Sequence, residues 1–112
     1  MRGQMKNKLY FSQEARRDLD EIWDYIASEL GNTVAAERTV GAILDDIDQL
    51  REFSELGAPL FSIVRVGSDH RVLVTGNYLT FYRTGEKEVY VDRVLYGRRD
   101  YLRALFGEPE EK

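Results

Sequence analysis

The hydrophobic residues of this chain change their spacing once, and that change restricts the fold more than anything else in the sequence. From Ala15 to Leu50 apolar side chains recur every three or four residues, whereas from His70 to Tyr96 they recur close to every second residue. The first spacing puts them on one stripe of a helix and the second on one face of a strand. A helical half followed by a strand half, rather than an alternation of the two, points to an α+β fold with helices laid over one face of a mainly antiparallel sheet. With 112 residues the chain can build one modest core and is too short for two.

Residues 9–11 read as a first strand, and Ser12 offers an N-cap oxygen to a helix starting at Gln13. Ala15, Leu19, Ile22, Trp23, Ile26 and Leu30 form its apolar stripe; Arg17, Asp20, Glu21, Asp24 and Ser28 form its polar side. Gly31 suits the C′ position, and Asn32 or Thr33 can cap a second helix, which so short a link turns back antiparallel to the first. That helix carries Ala36, Val40, Ile43, Leu44, Ile47 and Leu50 and should end near Phe53, before Ser54, Gly57 and Pro59. Residues 54–69 are the least regular, with "PLFSIVRV" as a short edge strand or an extended segment. Strands are expected at 70–75, 78–83 and 89–96, the first two joined by a Gly76-Asn77 hairpin. Alternation in the last is imperfect, which a β-bulge or cover on both faces would explain. A short helix at 98–106 completes the order β-α-α-β-β-β-α. Residues 1–8 and 107–112 are expected to be a loose start and a frayed tail around a single domain at 9–106.

There is no cysteine, hence no disulfide and no thiolate metal site. The acidic groups around Asp18–Asp24 and Asp45–Asp48 lie mostly on polar helix faces, and His70 is the sole histidine, so neither a metal nor a cofactor is expected. Glycine-rich phosphate loops and nucleophile elbows are absent. No apolar run reaches the roughly 20 residues that span a bilayer, and the polar start MRGQMKNK lacks the apolar core of a secretory signal. The expected location is the cytoplasm.

A net charge of −4 argues against general nucleic-acid binding, but the sum hides a polarity. Residues 1–59 hold 7 basic and 12 acidic residues, residues 60–106 hold 8 and 5, and residues 107–112 hold 1 and 3. The positive half therefore contains the surface that would meet an anion or an acidic partner. Arg71, Tyr78 and Tyr82 are expected on the sheet face turned away from the helices, with Arg83, Arg93 and Tyr96 nearby. Such a set can stack on bases and hold phosphates; equally, tyrosines favour strands and arginines solubilise outer faces. Arg98 and Arg99, after Gly97, oppose the dipole of the helix they would start. They serve either a partner or an internal ion pair with acids such as Asp100.

Taken together, "YFSQEARRDLDEIWDYIASE" and "RVLVTGNYLTFYRTGEKEVYVDRVLYGRRDYLRALF" resemble the RelE/ParE superfamily, the toxin halves of type II toxin–antitoxin systems. The resemblance spans residues 9–106 and rests on the order and spacing of all these pieces. Its RelE-like branch cuts mRNA on the ribosome without a metal, using basic residues and a C-terminal tyrosine or histidine. Here Leu79 stands where that branch commonly has an arginine, Leu105 falls near its C-terminal acid/base position, and residues 54–70 contain no lysine. Arg99, with Arg71, is what remains of a cleaving set.

"NYLTFYR" and "RVLYGRRD" resemble the ParE branch instead. That resemblance implies a toxin that poisons DNA gyrase and is held inactive by a cognate antitoxin, meeting operator DNA only through that antitoxin. It implies a target surface drawn from Arg71, Tyr78, Tyr82, Arg83, Arg93, Tyr96, Arg98 and Arg99. It also implies an antitoxin groove by the helical hairpin to which Trp23, Tyr25 or Ile26 contribute; ordinary core burial is the alternative for all three and the preferred reading for Ile26.

Overall fold

Ser12 marks the point where the first strand becomes the first helix, and it serves both. In the computed structural model, which describes residues 6–59 and 70–97, its Oγ accepts the Ala15 N–H at 2.9 Å and donates to the Asp92 carbonyl at 2.8 Å. The hydroxyl thus caps the helix while tying it to a strand eighty residues away.

The described elements are β1 (Lys8–Phe11), α1 (Gln13–Asp24), a π-helical turn (Tyr25–Glu29), α2 (Thr33–Asp48), a 3-10 turn (Gln49–Arg51), β2 (Ala58–Pro59), β3 (His70–Thr75), β4 (Tyr78–Gly85) and β5 (Glu88–Tyr96). The expected order holds over these residues, with β2 added at the start of "PLFSIVRV"; residues 60–69 and the helix expected at 98–106 lie outside the description. The frame also begins before residue 9, since Asn7 donates from its backbone to the Arg51 carbonyl and from its side chain to the Leu50 carbonyl.

One five-stranded sheet runs β1-β5-β4-β3-β2. β1 is parallel to β5, and the other pairs are antiparallel. Gly76 and Asn77 form the two-residue link between Thr75 and Tyr78, Gly76 taking φ +60, a conformation that costs a residue without Cβ little. The uneven pattern of β5 has the first of its two candidate causes, a bulge. Phe81 faces Arg93 while Tyr82 faces Val91, leaving Asp92 as the extra residue of a bulge. Val72, Leu79 and Phe81 are buried as well, on the face opposite Leu73 and Tyr82, so neither face of the central strands is open water.

The principal core joins Ala15, Ile43, Ile47 and Leu50 from the helical layer to Leu73, Tyr82, Val89, Val91 and Val94 from the sheet. This corrects the expected orientation of β4. Tyr82 points toward the helices with 0% exposure, and Tyr78 packs against the same cluster. Alternation alone does not reveal which parity faces inward when both parities are apolar or aromatic. The hydroxyl decides it, because the interior supplies its partners: Tyr82 Oη donates to the Ser54 carbonyl at 2.8 Å and accepts the Gly57 N–H at 2.9 Å.

Leu30 departs from its expected stripe. The Leu30 N–H reaches back to the Tyr25 carbonyl, an i→i+5 bond that inserts a residue into the turn and rotates everything after it. Ile26 remains buried while Leu30 is 59% exposed. Leu44 is likewise exposed on α2.

Arg71 Nη1 donates to the carbonyls of Gly57 at 2.6 Å and Glu55 at 3.3 Å, so Tyr82 and Arg71 together grip the link between α2 and β2. Gly57 has no room for a side chain: a Cβ there would meet the Val72 carbonyl at 2.6 Å and the Tyr82 ring at 2.9 Å. Gly57→Ala should therefore lower stability by about 1–3 kcal/mol, read as a reduced urea midpoint with an unchanged slope. Burial pushes the Tyr82 hydroxyl above its ordinary 10.0, and the Gly57 bond and Arg71 offset this only in part. The folded state thus favours the neutral phenol. Its contribution is whole below the unfolded value and drains as pH climbs through the raised one. Tyr82→Phe should flatten the alkaline loss of stability, followed by circular dichroism between about pH 9 and 12.

Candidate partner-binding groove

Past Phe11, β5 loses β1 as a neighbour, because the last paired position is Phe11 with Val91. The chain has turned into α1, and side chains from that turn and helix complete the edge. Ser12 takes the Val91 and Asp92 carbonyls. Asp18, one turn on, accepts the Val94 N–H at 2.9 Å and two bonds from Arg93, Nε at 2.8 Å and Nη2 at 2.9 Å. Only 8% of Asp18 is exposed, and three donors satisfy its carboxylate.

The expectation that Asp18 belongs to a solvated acidic face is corrected here. A signal existed in the sequence, since positions 15, 18, 19 and 22 share one helical arc and Asp18 is the acid on the apolar side. Arg93, expected on a target surface, is the other half of this pair. The bond to Asp18 raises its already high pKa, against an opposing effect of burial, so the guanidinium is a fixed cation within a neutralised pair.

Between α1 with its π turn and the end of β5 lies an open groove of about 800 Å³. Ile22, Ile26 and Val94 give it an apolar floor, while Tyr25, Leu30 and Tyr96 stand on its rim with 55%, 59% and 68% exposure. Contiguous exposed apolar groups of this size on a small domain mark an interaction surface. Glu21 and the Asp18–Arg93 pair also line it, as do Asn77 and Tyr78. The rings of Tyr78 and Tyr96 meet edge to face with centroids 5.2 Å apart.

The structure therefore redistributes the residues singled out from the sequence. Tyr25 and Ile26 line the groove, whereas Trp23 is half-buried and does not. Tyr78, Tyr96 and Arg93, assigned to a different surface, join Tyr25 in that groove. Tyr82 is interior, and Arg71 holds loop carbonyls. Arg83 forms a bidentate pair with Asp92, Nε to Oδ2 at 2.9 Å and Nη2 to Oδ1 at 3.2 Å, and lies over the Tyr90 ring, itself stacked on Tyr10. Arg98 and Arg99 lie outside the described residues, so only Arg71 of the alternative cleaving pair has a described position. Leu30, which sequence periodicity assigns to the core, is the groove residue it missed, because a π turn leaves no periodic trace. Among the described residues no cluster of three acids or histidines is placed to hold a metal, and no helix is long and apolar enough to cross a membrane.

Comparison with known proteins matches residues 9–101 to the family model described as the ParE toxin of the type II toxin–antitoxin system parDE. The fold is similar to that of a chain of the chromosomal ParDE toxin–antitoxin system of P. aeruginosa, at TM-score 0.68 and 23% identity, over 83% of this chain and 98% of that one. It is also similar to a chain of the RelBE2 toxin–antitoxin complex of Mycobacterium tuberculosis, at TM-score 0.58 and 21% identity, over 84% of this chain and 94% of that one. No curated protein matches in sequence.

Removing the carboxylate that joins α1 to β5 should leave Arg93 partly buried without its partner. Asp18→Ala is expected to cost about 3 kcal/mol, with the Val94 amide exchanging faster than its neighbours in hydrogen-exchange NMR.

Proposed function

This chain belongs to the ParE toxin family of type II toxin–antitoxin systems, and on that footing we propose that it acts by gripping a protein target, DNA gyrase, so that cleaved DNA persists. A cognate antitoxin holds it inactive by laying an amphipathic segment in the groove between α1 and β5. The complex meets operator DNA through the antitoxin, and the site of action is the cytoplasm, where gyrase works.

The observation that carries this reading is how the described basic side chains are spent. Metal-free cleavage of a phosphodiester needs cations and a proton donor converging on one phosphate. Arg71 is instead bound to the carbonyls of Gly57 and Glu55, Arg83 to Asp92, and Arg93 to Asp18. The Tyr82 hydroxyl beside Arg71 is also engaged on both sides. By contrast the groove offers what a docking helix or strand needs: apolar floor, aromatic rim and polar ends.

Arg98 and Arg99, together with the exposed Tyr96, are our proposed contacts to the target. Purified toxin at micromolar concentration should inhibit gyrase supercoiling and trap covalent gyrase–DNA complexes, and Arg98→Ala/Arg99→Ala should weaken both effects. Unaffected supercoiling would overturn the proposal. Codon-linked cuts in translated mRNA that vanish with Arg99→Ala would replace it with ribosome-dependent cleavage.

A further inference from the structure

We infer that the mouth of the groove is a seat for one positively charged side chain, an arginine or lysine of the antitoxin segment, held by Glu21 together with Tyr25, Tyr78 and Tyr96. This rests on the antitoxin reading above and adds the chemistry by which the groove selects its occupant.

Charge bookkeeping along the groove is the first reason. Among the described residues that line it Arg93 is the sole cation, and two of its nitrogens are committed to Asp18. Glu21 is then left in surplus. It is exposed, and its carboxylate, though within electrostatic reach of Arg93, makes no side-chain hydrogen bond or ion pair among the described residues. An acidic residue of the partner would be repelled at this point. An apolar one would strip water from the carboxylate and return nothing. A neutral donor would offset part of that cost, and a cation, which adds charge attraction to the hydrogen bond, offsets the most.

Aromatic geometry is the second reason. Glu21 and Tyr25 are four residues apart on the same face of the helix. Across the groove the Tyr78 and Tyr96 rings meet at 5.2 Å. Tyr25 lines the same groove, and after burial and the neighbouring Tyr96 it also raises the Tyr78 hydroxyl above its ordinary value, so Tyr25 and Tyr96 both stand within electrostatic reach of Tyr78. Ring faces attract a cation that an isolated carboxylate would hold only loosely, and a guanidinium can lie flat on one of them. The three tyrosines reach this point from separate parts of the chain, the π-helical turn after α1, the start of β4 and the end of β5, so the seat exists only once the sheet and helix have docked.

The test uses the whole toxin and the antitoxin encoded in the adjoining reading frame, with affinity measured by titration calorimetry at low and moderate salt. Glu21→Lys should weaken the complex about tenfold or more, Glu21→Gln should weaken it less, and Tyr25→Leu should weaken it while keeping apolar area. Reversing one basic residue of the antitoxin to Glu should restore affinity for Glu21→Lys, which a merely structural role would not do. Affinity of Glu21→Lys within about twofold of wild type, or coupling to an acidic antitoxin residue, would overturn the assignment. If wild-type toxin formed no complex at all, the antitoxin reading itself would fall. The seat would then be judged on the toxin alone, by adding arginine methyl ester and, separately, citrulline methyl ester. Ring resonances of Tyr25, Tyr78 and Tyr96 that move with the first and not the second, and stop moving in Glu21→Gln, support it; equal responses overturn it.

Discussion

Everything on the groove side of this molecule depends on the carboxylate of Asp18. A parallel strand pair ends at Phe11 because the chain must turn into a helix, and the edge of β5 would be left with unmet backbone groups in a nearly dry setting. Such groups cost free energy comparable to a lost hydrogen bond. Asp18 meets one of them at Val94 and fixes Arg93 in the same contact, while Ser12 meets the carbonyls before it. The helix is thereby held at one angle and one height against the strand. Every wall of the groove inherits its position from that contact.

A buried ion pair is weak evidence for net stability, since desolvation offsets most of its attraction. Its worth here is better described as orientation. Two apolar groups in place of the pair would bury surface between helix and strand, yet would not set their register, because apolar contact is non-directional. Three hydrogen bonds to two oxygens do set it. Tyr82 and Arg71 apply the same logic on the opposite side, where a hydroxyl and a guanidinium fix the backbone of the link at Ser54, Glu55 and Gly57. Residue types that look like recognition chemistry are thus engaged inside the fold, and the exposed groups on the groove rim are Tyr25, Leu30 and Tyr96, at the π turn and the strand end.

A protein of this size has little surface to spare, and our proposed function has two partners share it. In our proposal the antitoxin takes the groove and the target takes the adjoining end of β5 with Arg98 and Arg99. Tyr96 belongs to both, being 68% exposed and on the groove rim. An antitoxin seated there would cover part of the target surface, so neutralisation would need no change of shape in the toxin. Competition for one tyrosine-lined edge would be enough.

What the sequence decided alone was the order of β1, the two helices and β3 to β5 among the described residues: the spacing of Ala15 to Leu50 could make only helices, that of His70 to Tyr96 only strands, and Ser12, Gly31 and Gly76 marked where they turn. These are local properties, fixed by bond geometry and by which side of an element its apolar groups occupy. Which face of β4 looks inward, why Asp18 stands on an apolar arc, and where Leu30 ends up were decided only by tertiary structure. Each depends on a partner distant in the chain or on an extra residue in a helical turn: Tyr82 needs the carbonyl of Ser54, Asp18 needs Arg93 and Val94, and Leu30 is displaced by an i→i+5 bond. Periodicity reports that a side chain is apolar or polar and how often it recurs. It carries no information about the hydrogen-bond partner that folding will bring to it, and in this protein those partners position the site.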